Sequence, residues 1–446
     1  MNHNRIPVLM KVLMVLAMMS IIAACAGPAA PATTSQAPTA TEPPLAATEP
    51  SGGSGEPVTL RMWVHSNPHY KKIAEQYAAE YEKETGVKIQ LDFLPWEEYG
   101  SKVVAAFAGG NEPDILEGVA SWLYGQKIAG QLDPVPEDLA SNITTRYHQP
   151  SLPPIEYQGK YYGIPLNVNI DAGPLFVANK AAYDELGITP KWDNWDAYIA
   201  DLQKLTKTEN DVITRSGVTI AGGDPMIQFL MYFLQAGGTF YGPDGKTVTI
   251  NNEYGKKALQ TMYDFLYTAK VDSTDLADFS GVATGTSAGT FYGPWYTKIM
   301  DDDFPDVDWE WAQPPVLPDG VGPYFPSANV WAWMVTSKSP NKEVAWDYIR
   351  WLDDNGRRMA WSEETGEIPA VPELWTAPAI SESKRFGQWI PFLKYQVPLL
   401  HIGPQDEYST ILNNMVSSVL FQQATIDDAL AKAEQQINEM LARTVQ

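Results

Sequence analysis

The sequence predicts an α/β fold in two domains, and three observations carry that expectation. From Val58 onward, short strand patterns alternate with amphipathic helical ones, which calls for right-handed crossovers and a mostly parallel sheet. About 390 residues run from Val58 to Gln446, more than one compact core accommodates. Before Val58, residues 26–57 are almost entirely Ala, Pro, Thr, Ser, Gly and Glu, with no hydrophobic period from which a core could form.

The chain opens on Arg5 and Lys11, an apolar run from Val12 to Ile22, and the small residues Ala23 and Ala24. That order is a secretory signal peptide, its apolar run being too short for a spanning helix. Ile22-Ala23-Ala24-Cys25 resembles the lipobox of bacterial lipoproteins, which implies a signal peptide over 1–24 and lipidation of Cys25. Cys25 is the only cysteine, so no disulfide framework competes for it. The tract 25–57 then reads as an extended tether, at about 3.1 Å per residue where proline-rich. The formal charge is −23 at pH 7, and −25 without Arg5 and Lys11, which suits neither nucleic acid nor an anionic membrane face.

The elements follow in order. "VTLRMWV", 58–64, is a strand. A helix starts at Pro68, capped by Asn67, carries Ile73, Tyr77 and Tyr81 on one face and ends at Gly86. Val87, Ile89, Leu91 and Phe93 alternate with polar residues as a second strand. "WEEYGSKVVAAFAGG" is a second helix, "PDILEG" a third strand and "SWLYGQKIAGQL" a third helix. Ligands of such sheets sit beyond the carboxyl ends of the strands. That rule selects the loops His65-Ser66-Asn67, Pro95-Trp96-Glu97 and Glu117 to Trp122. Two extended runs are expected over 159–188 and helices over about 193–207, 225–236 and 253–269. "YGPDGKTVTI" reads as a turn entering a strand, "AGTFYGPWYTKI" as a short strand and a loop, and "NVWAWMVTS" as a strand. Residues 340–364 read as one helical region, and 425–442 as a final helix capped by Thr425.

Several stretches together resemble the carbohydrate-type extracellular solute-binding proteins of ABC importers, the maltodextrin-binding-protein-like family. In chain order they are "ETGVKIQL", "GNEPDIL", "YYGIPLNVNIDAGPLFVANKAAYDELGI" with "WDNWDAYIADLQKLT", "FLMYFLQAGGTFYGPDGKTVTI", "GTFYGPWYTKI", "WAWMVTSKSPNKEVAWDYIRWL" and "TGEIPAV". The resemblance spans nearly all of 58–446. It implies a periplasmic-binding-protein-like fold: two α/β lobes joined by crossing strands, with a ligand cleft between them that closes by a hinge. The first lobe would take 58–168 and 329–372, the second 172–328 and 373–446. Crossings are expected near Asn167–Asp171 and Tyr324–Asn329. The implied partners are a sugar, a membrane permease and the membrane through Cys25. No cofactor or metal, no nucleic acid and a monomer are expected.

Sugar hydroxyls suit carboxylates, amides and serines, whereas sugar C–H faces stack on aromatic rings. On that basis the first lobe offers Ser66, Asn67, Glu117, Ser121 and Trp122, and the first crossing offers Asn169 and Asp171. Tyr292 and Trp295 match the family's aromatic loop, and Asn329 and Trp331 lie at the other crossing. His65-Ser66-Asn67-Pro68 stands where the family usually has charged residues. These cleft loops hold no Lys or Arg, which disfavours an anionic ligand and leaves a neutral sugar ahead of a cation such as a polyamine. A rival reading is a lipid-anchored glycoside hydrolase using a carboxylate pair such as Glu117 and Asp171. "GTSAG" around Ser287 fits a serine-hydrolase pattern, but that pattern needs a helix directly after it, and "TFYGPW" reads instead as a strand and loop. His65 and His69 are separated by Asn67-Pro68, which does not suit zinc on a helix. The acidic run 300–311 lacks a calcium-loop spacing.

Overall fold

The computed structural model describes residues 58–220 and 224–444; the signal segment, Cys25 and the tether expected before Val58 lie outside them. β1 (Thr59–His65) buries Leu60, Met62 and Val64. α1 (Pro68–Thr85) follows at once, because Asn67 Oδ1 accepts the His69 N–H at 2.9 Å and Pro68 pre-sets the first turn. Gly86 ends it in the left-handed region, φ 77°. β2 (Lys88–Leu94), α2 (Trp96–Gly109) and β3 (Ile115–Val119) complete two crossovers, and β1 pairs in parallel with both neighbours. The helix expected from Ser121 is broken. A 3₁₀ turn over Ala120–Leu123 passes into a short helix over Tyr124–Ile128. Gly125 and Gly130 fall within that stretch, and glycine is a poor helix former.

β4 (Ile164–Pro165) joins the same sheet, and β5 (Asn167–Val168) leaves it. β6 (Phe176–Asn179) then opens the second lobe, followed by α3 (Trp195–Leu205), α4 (Pro225–Ala236) and α5 (Glu253–Tyr267). From Met226 to Ala236 every residue of α4 is buried, which marks it as a helix wrapped on all sides. The strand expected after the turn at 241–250 reduces to one bridge between Tyr241 and Val248. There Asp244 Oδ1 holds the N–H groups of Lys246 and Thr247, so a local side-chain turn replaces a ladder. β7 (Gly289–Thr290) is the short strand expected, but "GPWYTKI" is no loop: Pro294 starts α6 (Pro294–Asp303). β8 (Trp309–Ala312) and β7 flank β6, both antiparallel to it.

β9 (Phe325–Ser327) lies at the second crossing, and β10 (Trp331–Val335) returns to the first sheet, antiparallel to β3 and β4. The sheet order is β2-β1-β3-β10-β4. The helical region at 340–364 is two helices, α7 (Lys342–Leu352) and α8 (Asn355–Thr365). Asp354 divides them by capping α8, its Oδ1 accepting from Gly356 and Arg357. β11 (Ile368–Pro369) pairs with β5, and β12 (Gln396–Pro398) with β9. α9 (Gln405–Leu420), not among the helices expected from sequence, and α10 (Ile426–Thr444) end the described chain. Thr425 Oγ1 accepts the Asp428 N–H, the cap expected.

Apolar side chains gather in two cores. One takes residues from Leu60 to Leu166 and from Trp331 to Leu374; the other takes Val168 to Ala328 and Ile368 to Leu441. The molecule is thus two α/β lobes, with the chain crossing between them at Leu166–Val168, at Ala328–Trp331 and again between Ile368 and Ile380. No helix among the described residues is long and apolar enough to cross a membrane.

Candidate functional site

A cavity of about 480 Å³ lies where the two lobes face each other. The β1–α1 turn supplies His65, Asn67, His69 and Tyr70, and the β2–α2 turn supplies Trp96 and Glu97. Trp331 at the start of β10 completes that wall. These groups sit beyond the carboxyl ends of parallel strands, as sheet topology requires. Phe279 and Trp295 form the facing wall from the second lobe. Asn169 and Asp171 come from the first crossing, Thr365 and Glu367 from the end of α8 and the turn after it.

The aromatic groups brace one another. The His65 ring lies 5.8 Å from Trp96 and 5.5 Å from Trp331, edge to face in both cases. Trp122 does not line the cavity; it packs behind Trp96, centroids 4.7 Å apart. Trp295 stacks on Phe279 at 6.1 Å and 19°, and its Nε1 donates to Ile170 O at 3.1 Å. Tyr292 stands behind Trp295 at 5.4 Å rather than on the wall. Burial holds His65 neutral, its pKa pushed down to about 4.

The floor is a hydrogen-bonded chain joining both lobes. Asn169 Nδ2 and Asn329 Nδ2 each donate to Asp171 Oδ2 at 2.8 Å. Asn329 Oδ1 accepts from Gln405 Nε2, and Gln405 Oε1 accepts from Ser121 Oγ. Ser121 and Asn329 are therefore buried network members, positioned to orient Asp171 rather than to touch a ligand. Burial first, and then the charge of Asp224, pushes the Asp171 carboxyl up to about 7.

Of the residues expected from sequence, the cavity brings together Asn67, Asn169, Asp171, Trp295 and Trp331. Asn67 is also the cap of α1. Ser66 is not on the wall; its N–H is spent on Leu94 O. Glu117 is fully buried in β3 opposite Trp333, because β3 is the central strand of the sheet and both of its faces are covered. Burial pushes its carboxyl well above the usual range, and it is not paired with Asp171. His65, Tyr70, Trp96, Phe279 and Glu367 were not among the expected residues. For Trp96 the signal was present, since its loop was already indicated. Glu367 sits in "TGEIPAV", a stretch legible as a motif without a role.

The decoys resolve locally. Ser287 is buried, donates to Gly289 O at 2.7 Å and accepts from Thr219 Oγ1 at 2.8 Å. Gly281–Thr284 is helical before it and β7 follows, the reverse of a nucleophile elbow. In the acidic run, Asp301 pairs with Arg385 and Asp302 with Lys298. Among the described residues, no cluster of three or more His, Cys, Asp or Glu is placed to hold a metal ion.

Comparison with known proteins places this geometry in a lineage. The profile of the family described as bacterial extracellular solute-binding protein matches residues 67–356. The maltotriose-binding protein of Pyrococcus abyssi is 25% identical over 351 residues, 75% of this chain and 72% of its own. The maltodextrin-binding protein of Bacillus subtilis is 23% identical over 334 residues, 72% and 75%. The erythritol/L-threitol-binding protein of Mycolicibacterium smegmatis is 23% identical over 377 residues, 74% of each. A solved solute-binding protein of Thermotoga lettingae, bound with α-D-tagatose, superposes with a TM-score of 0.72 at 22% identity, covering 86% of this chain and all of that one. With a two-lobed fold, a cleft between the lobes and a profile match over most of its folded part, the chain belongs to the bacterial extracellular solute-binding proteins, and it is a binding protein rather than an enzyme.

Proposed function

We propose that this protein captures a mono- or short oligosaccharide between its lobes and hands it to the permease of an ABC importer. The observation that carries the reading is the composition of the cleft: facing aromatic walls over a floor of amide and carboxylate groups. Rings cover the C–H faces of a sugar while the floor takes its hydroxyls. The cavity volume of about 480 Å³ falls within the roughly 300–1,000 Å³ usual for small-molecule sites. The similar proteins named above bind maltodextrin, maltotriose and tetritols, which supports a polyhydroxylated solute and leaves its length open. The lipobox-like Cys25 supports attachment to the outer face of the cell membrane, with the tract to residue 57 as tether. Two or more acyl chains would be needed for firm attachment.

A thermal-shift panel of sugars, polyols, amines and peptides tests the reading. A bound sugar raises the melting temperature, by mass action, and changes tryptophan fluorescence, since Trp96, Trp295 and Trp331 line the cleft. A shift with peptides or simple amines and none with any sugar or polyol rules it out. Metabolic labelling of wild type and Cys25→Ser with palmitate tests the anchor; equal labelling would exclude it.

A further inference from the structure

The cleft holds more acidic side chains without basic partners than a neutral sugar calls for. Glu97, Asp171 and Glu367 line it, with neither Lys nor Arg on its wall. Glu367 is 5% exposed; its Oε1 accepts from Tyr70 Oη at 3.1 Å, and its Oε2 has no partner. The nearby basic side chains are engaged elsewhere. His69 lies between Asp302 and Glu364, at 3.2 and 3.3 Å, Lys72 pairs with Glu364 at 2.6 Å, and Lys298 with Asp302 at 2.6 Å. Burial pushes the Glu367 carboxyl up to about 8, with Asp171 adding to the rise. The walls over these carboxylates are Tyr70, Trp96, Trp331, Phe279 and Trp295. Ring faces are negative and attract a cation, more so when it is desolvated. A buried carboxylate with an open oxygen beneath an aromatic wall is complementary to an ammonium group.

We infer that the solute carries a protonated amine on its polyhydroxyl frame, an amino sugar or amino polyol, and that Glu367 and Asp171 receive that amine. The inference rests on the carbohydrate reading and narrows it. On binding, the Glu367 carboxyl gives up its proton to solvent and the carboxylate formed pairs with the ligand's ammonium. One proton is released and no other bond changes.

Titration calorimetry on the purified protein at pH 7 compares D-glucosamine, D-galactosamine and chitobiose, the β-1,4 dimer of glucosamine, with their parents D-glucose, D-galactose and cellobiose. The expected result is at least tenfold tighter binding of an amine than of its parent. The binding enthalpy also changes with the buffer's ionisation enthalpy, reporting the released proton. Glu367→Gln keeps size and removes charge; its amine-to-parent affinity ratio falls at least tenfold. A parent sugar that binds as tightly as its amine overturns this inference and leaves the carbohydrate reading standing. Tighter binding of putrescine or spermidine than of every amino sugar overturns both, as does silence from every probe. Because the wild-type ratio decides alone, a Glu367→Gln chain that fails to fold leaves the outcome readable.

Discussion

Asp171 holds the floor of the cleft in register through two amide donors, one from each of the first two crossings. Together with Glu367 it also sets a pH dependence. Both are acids raised by burial, to about 7 and about 8, so the folded state keeps protons that the unfolded chain has lost above about pH 4. Stability is then lost as pH rises toward those values. Three histidines act the other way. His65, His148 and His401 are held near 4 by burial, so they add stability as pH rises to about 6.5 and nothing beyond. Between pH 6.5 and 8 the raised acids dominate, with the buried Glu117 carboxyl acting in the same direction and Lys127, pushed down to about 8 by burial, opposing them only toward the upper end. Unfolding free energy of the ligand-free protein should fall there, each acid contributing at most about 1.4 kcal/mol per pH unit. Denaturant melts across that range check it; a flat profile would show that the two carboxyls are not raised. At the facing wall, Trp295→Ala should weaken sugar binding by about 1–3 kcal/mol, roughly 5- to 150-fold in Kd. Fluorescence titration reads this. Unchanged affinity in a folded variant would take Trp295 out of the site.

At the level of elements, most of the pattern was legible because it is local. The Asn67 cap, the Gly86 stop and the alternation of β2 need only neighbouring residues. α9 was legible in principle too: Pro404 precedes it, Asp406 and Glu407 fill its first turn, and Tyr408, Leu412, Met415 and Val419 are buried on one face. The start of α6 was less so. Gly293 precedes its Pro294 with an ordinary φ of −75°, so the glycine does not serve a left-handed turn. It serves a close approach: a Cβ there would lie 1.7 Å from Ile170 O. Its N–H donates to Asp171 O at 3.1 Å. Gly293→Ala should therefore cost about 3 kcal/mol or more, by forcing backbone apart, and should weaken ligand binding, since Asp171 and Trp295 flank the contact. A melting temperature within a degree or two of wild type would show that the crossing gives way without cost.

Across the whole molecule, the two lobes meet at the rim of the cleft as well as at the crossings. His69, on α1 of the first lobe, lies 3.2 Å from Asp302, on α6 of the second. A partly exposed polar contact of this kind is worth at most about 1 kcal/mol, so it biases closure without locking it. Asp302→Asn should weaken ligand affinity by up to about fivefold and slightly raise the radius of gyration of the ligand-free protein in X-ray scattering. Identical affinity and scattering would remove the pair from any part in closure.

By itself the sequence determined the α/β class, the two-domain size, the order of most elements and the loops that border the cleft. Those depend on periodicity, caps and strand direction, which neighbouring residues set. Only the tertiary structure decided which polar groups reach the cavity. Glu117 has the same chemistry as Glu367, yet the former is buried in the core while the latter lines the cleft. That outcome turns on strand register and on α8 and α9 arriving from far along the chain to fill the space beneath the crossings.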